Sequence, residues 1–202
     1  MTRLVITRAK VAPDYRDTAI ATLKQIKQVS LSNGSKRVRI ATQTSGSHVG
    51  SLLMLQFFDS MADVESVYDA FNETPIYAET MQSGKFDITD RALLKIHTEF
   101  GDRSGSQKLK YLTLTNGTAE TPELDAINKF ANVLTANGAV AGAYGTFVAG
   151  DQADGKTHIF GATYPSLSAM QTAYEAVMEN DAASALYKVV SVRRRQVLRL
   201  LD

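Results

Sequence analysis

Cysteine and tryptophan are absent from the 202 residues. The lack of cysteine excludes disulfides, thiolate zinc sites, iron–sulfur ligation and a cysteine nucleophile together. Charge of one sign is lacking too. The 22 Lys and Arg face 21 Asp and Glu for a net charge of +1, so no bulk attraction to nucleic acid or an anionic membrane is expected. No apolar run approaches the roughly 18 residues of a membrane span, and residues 1–8 carry no apolar signal region. A cytoplasmic protein with no membrane and no nucleic-acid partner is the expectation. Motifs for dinucleotides, for the P-loop and for a nucleophile elbow are missing, and histidines and acids never fall at metal-ligand spacing. No metal and no cofactor is therefore expected. What remains, 44% hydrophobic and 21% charged residues, is the composition of a packed globular chain.

The informative feature is an internal repeat. Residues 60–70 (SMADVESVYDA) match residues 166–176 (SLSAMQTAYEA) at an offset of 106. Asn33-Gly34 matches Asn137-Gly138 and residues 91–96 match 195–200 at an offset of 104, while the strands at Leu4 and Leu112 align at 108. Such drift implies short loop insertions within a duplicated unit. Two units follow, residues 1–100 and 109–202, with the small, polar stretch 101–108 as linker.

Each unit reads βαββαβ. An alternating strand (3–10; 109–115) leads to a helix opened by Pro13-Asp14 or by Thr121-Pro122-Glu123, with Thr suited to an N-cap and Pro to the first turn. Asn-Gly closes that helix. Two strands joined by a hairpin loop follow, then a helix starting at Ser60 or Ser166, with Asp63 completing a capping box. A last strand (91–98; 192–201) ends the unit. A four-stranded antiparallel sheet with both helices on one face is the result.

Alternation assigns the faces. Ala92, Leu94, Ile96, Leu53, Leu55, Phe57, Ile159 and Gly161 are expected to meet the helices. Val5, Thr7, Arg39, Leu52, Met54, Gln56, Phe58, His97, Tyr111, Thr113, His158, Phe160 and Tyr164 then lie on the open face. That face is too apolar for water, so the two sheets should pack face to face as an α+β barrel with the helices outside. The arrangement resembles the dimeric α+β barrel superfamily of ferredoxin-like units, which includes antibiotic-biosynthesis monooxygenase-like, EthD-like and NIPSNAP-like proteins, here as a single-chain tandem duplication. The resemblance rests on element order and duplication over nearly the whole chain. It implies a small-molecule site in the barrel interior and, in some members, cofactor-independent oxidation or isomerisation of aromatic or polyketide-like compounds; other members bind haem.

Candidate residues follow from the asymmetry between the repeats. His158 stands where its counterpart is Leu52, so it is the candidate base, with Tyr164 beside it as a second proton-transferring group. Arg39, whose counterpart is Ala143, suits an anionic or enolate oxygen through its fork of donors. Gln56, His97 and Tyr111 complete a ligand-binding set, and haem ligation through His97 or His158 is a lesser alternative. The reading is a barrel that binds a small aromatic or polyketide-like ligand. A monooxygenase or isomerase acting on such a compound, and a structural barrel without a ligand, are the alternatives. Exposed strand edges allow self-association into a homo-oligomer.

Overall fold

A computed structural model gives the structure of residues 2–201. The described residues form eight strands and six α-helices. The first half runs β1 (Arg3–Val11), α1 (Arg16–Ser32), β2 (Arg37–Gln43), β3 (Leu52–Phe58), α2 (Met61–Asn72), α3 (Pro75–Gln82) and β4 (Phe86–Gly101). The second runs β5 (Tyr111–Thr118), α4 (Leu124–Ala136), β6 (Ala141–Ala149), β7 (Thr157–Tyr164), α5 (Leu167–Met178), α6 (Asp181–Val189) and β8 (Ser191–Leu200). The βαββαβ order is present twice, with an additional helix, α3 or α6, ahead of each closing strand.

Local chemistry sets the helix ends. At α2 the Ser60 hydroxyl accepts from the Asp63 N–H at 3.2 Å, and the Asp63 carboxylate accepts from the Ser60 N–H at 2.9 Å. Ser166 caps α5 through the Ala169 N–H at 3.0 Å, so each cap satisfies an otherwise unpaired amide. The expectation at Thr121 is corrected: Glu123 occupies the N-cap of α4, and the Thr121 hydroxyl donates to the Glu123 carboxylate instead. Gly34 and Gly138 adopt φ of +127° and +124°. A Cβ on either would lie 3.1 Å from Asp63 Cβ or 2.8 Å from the Ala169 carbonyl oxygen. Glycine there allows both the turn and the close approach of the next helix.

The strands close into an antiparallel barrel in the order β1-β3-β2-β8-β5-β7-β6-β4. Each half supplies a four-stranded block, and two seams join the blocks. One is long: β4 and β6 pair from Leu93–Ala149 to Gly101–Ala141. The other is short, with Ala41–Leu200, Thr42–Arg199 and Gln43–Leu198 as its register. Arg37 and Arg39, at the start of β2, lie beyond that paired stretch.

Three apolar cores result. Leu4, Ile6, Leu53, Leu55, Leu94, Leu112, Leu114, Ile159 and Leu198, drawn from both halves, fill the barrel. One core lies under α1–α3 and includes Leu52, Met54 and Phe58; another lies under α4–α6 and includes Tyr144, Phe160 and Tyr164.

The sheets do cover each other, but the face assignment is inverted for most positions. Ala92, Leu94, Ile96, Leu53, Leu55 and Ile159 point into the barrel, whereas Val5, Leu52, Met54, Phe58, Phe160 and Tyr164 point at the helices. Both faces of each sheet are apolar, so alternation gives the period without the sign. On β4 and β8 the face that carries charged residues looks outward, where Arg91, Arg195 and Arg199 reach solvent. Most of the buried rings lie between sheet and helices, whereas aliphatic side chains together with Phe147 fill the barrel.

Candidate functional site

One mouth of the barrel holds a cavity of about 70 Å³. It exceeds the roughly 10–15 Å³ that one water needs. Leu4, Leu55, Phe57, Ile96, Leu112, Leu114 and Ile159 supply apolar walls, and Arg37 and Arg39 enter from β2. The space exists because the two halves differ at equivalent positions. Where the first half places Arg37, Arg39, Leu55 and Phe57, the second places Ala141, Ala143, Gly161 and Thr163, and all eight line the cavity. Large side chains thus face small ones across the lumen. Past Arg37 and Arg39 the cavity continues into a surface groove of about 390 Å³ bordered by Thr2, Leu31, Lys36 and Glu99.

The linker between the halves closes this mouth. Asp102, Arg103, Gly105 and Gln107 border the cavity. The Asp102 N–H donates to the Val140 carbonyl at 2.8 Å, and the Asp102 carboxylate accepts from the Ser104 N–H and the Ser106 hydroxyl, both at 2.8 Å. Glu99 joins linker to wall. It accepts from Arg37 at 2.9 Å and pairs with Arg103. Burial opposes the charge on Glu99, but the two guanidinium groups outweigh it and hold the carboxyl below its usual range. Arg37 also lies over the Phe57 ring, 4.0 Å from its centroid, so the arginine is both paired and stacked. In Glu99→Gln, trypsin is expected to cut after Arg103 severalfold faster than in the wild type; an equal rate would mean that this pairing does not hold the linker down.

Of the residues expected in the barrel, Arg39 is there. Gln56 points at α1, where its amide donates to the Ser30 hydroxyl at 2.7 Å. Tyr164 packs among the helices of the second half, and burial raises its phenol pKa. Tyr111 is half-buried against the same core. His158 and His97 also lie on the helix side, in a chain of their own. The Thr146 hydroxyl is 2.7 Å from His97 Nε2 and 2.8 Å from His158 Nδ1, and His158 Nε2 is 3.3 Å from the Ala119 carbonyl.

That carbonyl can only accept, so His158 carries its proton on Nε2 and accepts a hydrogen bond from the Thr146 hydroxyl at Nδ1. His97 must then donate to Thr146. Burial lowers the pKa of His158, against the Ala119 carbonyl, Asp154 and Glu123; it lowers that of His97 as well, with help from Lys95 and His158. Tyr144 stacks on His158 at 5.4 Å, and burial pushes its phenol up to about 12. A neutral, direction-locked pair of histidines is the outcome, separate from the barrel cavity.

The residues missed from sequence are Arg37, Phe57, Gly161 and the linker clasp. The signal for the first three was present in the repeat alignment, as the pairs Arg37/Ala141, Phe57/Thr163 and Leu55/Gly161. No spacing announces that Glu99 binds Arg103, because that contact depends on how the linker crosses the mouth. Among the described residues, no group of three or more metal-ligating side chains comes together, and no helix is long and apolar enough to cross a membrane.

Residues 2–96 and 109–200 each match the family described as Domain of unknown function (DUF6854). A search of curated proteins gave no match. Solved structures share the fold at low identity. A candidate monooxygenase from Fusobacterium nucleatum is 10% identical with a TM-score of 0.75, covering 100% of this chain and 93% of its own. An anthrone oxidase-like protein is 14% identical with a TM-score of 0.57, covering 99% and 92%. A chlorite dismutase from Candidatus Nitrospira defluvii is 10% identical with a TM-score of 0.61, covering 100% and 91%. These likenesses show that the chain shares the fold of those proteins, the ferredoxin-like α+β barrel.

Proposed function

The chain belongs to the DUF6854 family, which it matches once in each half, and on that premise we propose that the barrel binds a small aromatic or polyketide-like compound carrying an anionic oxygen. The observation that carries this reading is the cavity itself, with apolar walls and an entrance held by Arg37 and Arg39. An apolar ring gains by leaving water for such walls. Its carboxylate or enolate oxygen would meet the guanidinium of Arg39, a donor fork that suits planar anions. The likeness to an anthrone oxidase-like protein and to candidate monooxygenases supports the same class of compound.

Binding without turnover is the preferred form of this reading. The titratable groups lining the cavity are Arg37, Arg39, Asp102 and Arg103, and an arginine does not serve as a base near neutral pH. His158 and Tyr164 belong to the helix side of the sheet, so they cannot take a proton from a compound in the barrel. An oxygenase or isomerase reading therefore has a charge stabiliser in Arg39, while the one carboxylate on the wall, Asp102, is tied to Ser104 and Ser106 and held below its usual pKa range, which makes it a weak base.

Titration calorimetry with benzoate and with its neutral analogue benzyl alcohol tests the proposal. Benzoate is expected to bind the wild type more tightly than benzyl alcohol does. Arg39→Met is expected to weaken benzoate at least tenfold and to leave benzyl alcohol nearly unchanged. Equal binding of the two compounds, or equal benzoate binding to both proteins, would overturn the assignment of Arg39.

A further inference from the structure

The opposite mouth of the barrel is polar, and its charges do not balance. Continuing along the inward rows past Ile6, Ala92, Ala41, Leu114 and Leu198, the next positions are Arg8, Asp90, Gln43, Asn116 and Gln196, followed by Arg194. Arg8, Gln43, Asn116 and Gln196 are all buried. Most of this group has partners. Arg8 Nη1 donates to Asp90 at 3.3 Å, Asn116 donates to Gln152 at 2.6 Å, and the Gln196 amide oxygen can accept from Arg194 at 3.0 and 3.3 Å.

Two atoms do not. Arg8 Nε and Gln43 Oε1 are buried without a hydrogen-bond partner. Arg8 pairs with the Asp90 carboxylate, and Arg194, on another side of the lumen, adds a second guanidinium whose charge opposes that of Arg8. Burial lowers the Arg8 pKa most; Asp90 opposes this, and Arg194 adds to it. His48, in the loop above, is lowered by burial and then by Arg8, Arg194 and Lys10, with only Asp90 acting the other way. A buried guanidinium with an unused donor, facing the charge of a half-buried second one, is costly unless a counter-charge joins it.

We propose that this end of the barrel is a site for one small anion, of carboxylate, nitrate or halide size, held between Arg8 and Arg194 with Arg8 Nε as its unshared donor. The size follows from the cover. The loop between β2 and β3 sits directly on the cluster, and even a Cβ at Gly46 would lie 3.4 Å from the Gln43 amide nitrogen and 3.8 Å from Gln196 Cγ. The site needs both halves, because the repeat equivalents differ: Asn116 stands opposite Arg8, and Arg194 opposite Asp90. Divergence after duplication thus left two arginines and one aspartate where an exact copy would repeat one set.

The test is the melting temperature of the whole chain in sodium formate, nitrate or chloride, with ionic strength held constant by sodium isethionate, whose anion is too bulky for the site. Raising formate from 1 to 100 mM is expected to lift the wild-type midpoint by several degrees. Arg194→Gln, which keeps the Arg8–Asp90 pair, is expected to lose that rise. A midpoint that ignores the exchange of isethionate for formate, or an equal rise in Arg194→Gln, would overturn the site. Should Arg194→Gln not fold, chloride-35 line broadening by the wild type, reversed by formate, reads the same site; no broadening overturns it.

Discussion

Gly161→Leu is expected to abolish benzoate binding, with affinity falling at least tenfold, while the fold stays intact. Gly161 lines the cavity, and its counterpart in the first half is Leu55. Leucine at 161 therefore restores the side chain that the other half uses, and its bulk would take up the space of about 70 Å³. The backbone tolerates the change. The nearest heavy atom to a Cβ there is Leu114 Cδ2 at 3.3 Å, the movable end of a flexible side chain. Filling a void regains lost contacts, and overpacking costs about 1–3 kcal/mol, so the two oppose each other. A melting midpoint near that of the wild type together with lost calorimetric binding is the expected pair of results. Retained binding would place the compound elsewhere.

His158→Ala is expected to destabilise the chain by about 2–4 kcal/mol in denaturant unfolding, since it opens a cavity and strips Thr146 and the Ala119 carbonyl of a buried partner. His158 is 2% exposed, which is why the cost is large for a residue outside the proposed binding cavity. The same histidine gives a pH signature. Its folded pKa lies below the ordinary value near 6.5, chiefly through burial, and His97 shifts the same way. The unfolded chain then binds more protons than the folded one below about pH 6.5, so stability is full above that pH and falls as the medium becomes more acid. His158→Phe, which keeps an aromatic body against Tyr144, is expected to lose its part of this acid sensitivity. An unchanged slope between pH 5 and 7 would mean that His158 takes up its proton equally in the folded and unfolded states.

The repeat and the element order are legible in sequence because caps and turns use local chemistry. Ser60 and Ser166 mark the same helix start, and the two Asn-Gly pairs mark the same close approach. The sign of each sheet face is not legible. Leu52, Leu53, Met54 and Leu55 are consecutive apolar residues, and all are buried, so either parity satisfies the pattern. Arg39 falls in the barrel while Gln56 does not, because the antiparallel register sets Leu55 opposite Arg39. A one-residue change in parity carries His158 and Tyr164 across the sheet and with them the expected catalytic pair. The cavity was readable only as a contrast between repeats, in the replacement of Leu55 by Gly161 and of Arg37 and Arg39 by alanines.

The unequal seams have a consequence for how the barrel breathes. Eight paired positions tie β4 to β6, against three between β2 and β8. Partial opening therefore costs least along the shorter junction, with the longer one serving as the spine about which the halves swing apart. The strand freed at that parting is the one bearing Arg37 and Arg39, so a guest would enter through the wall beside its own counter-ions.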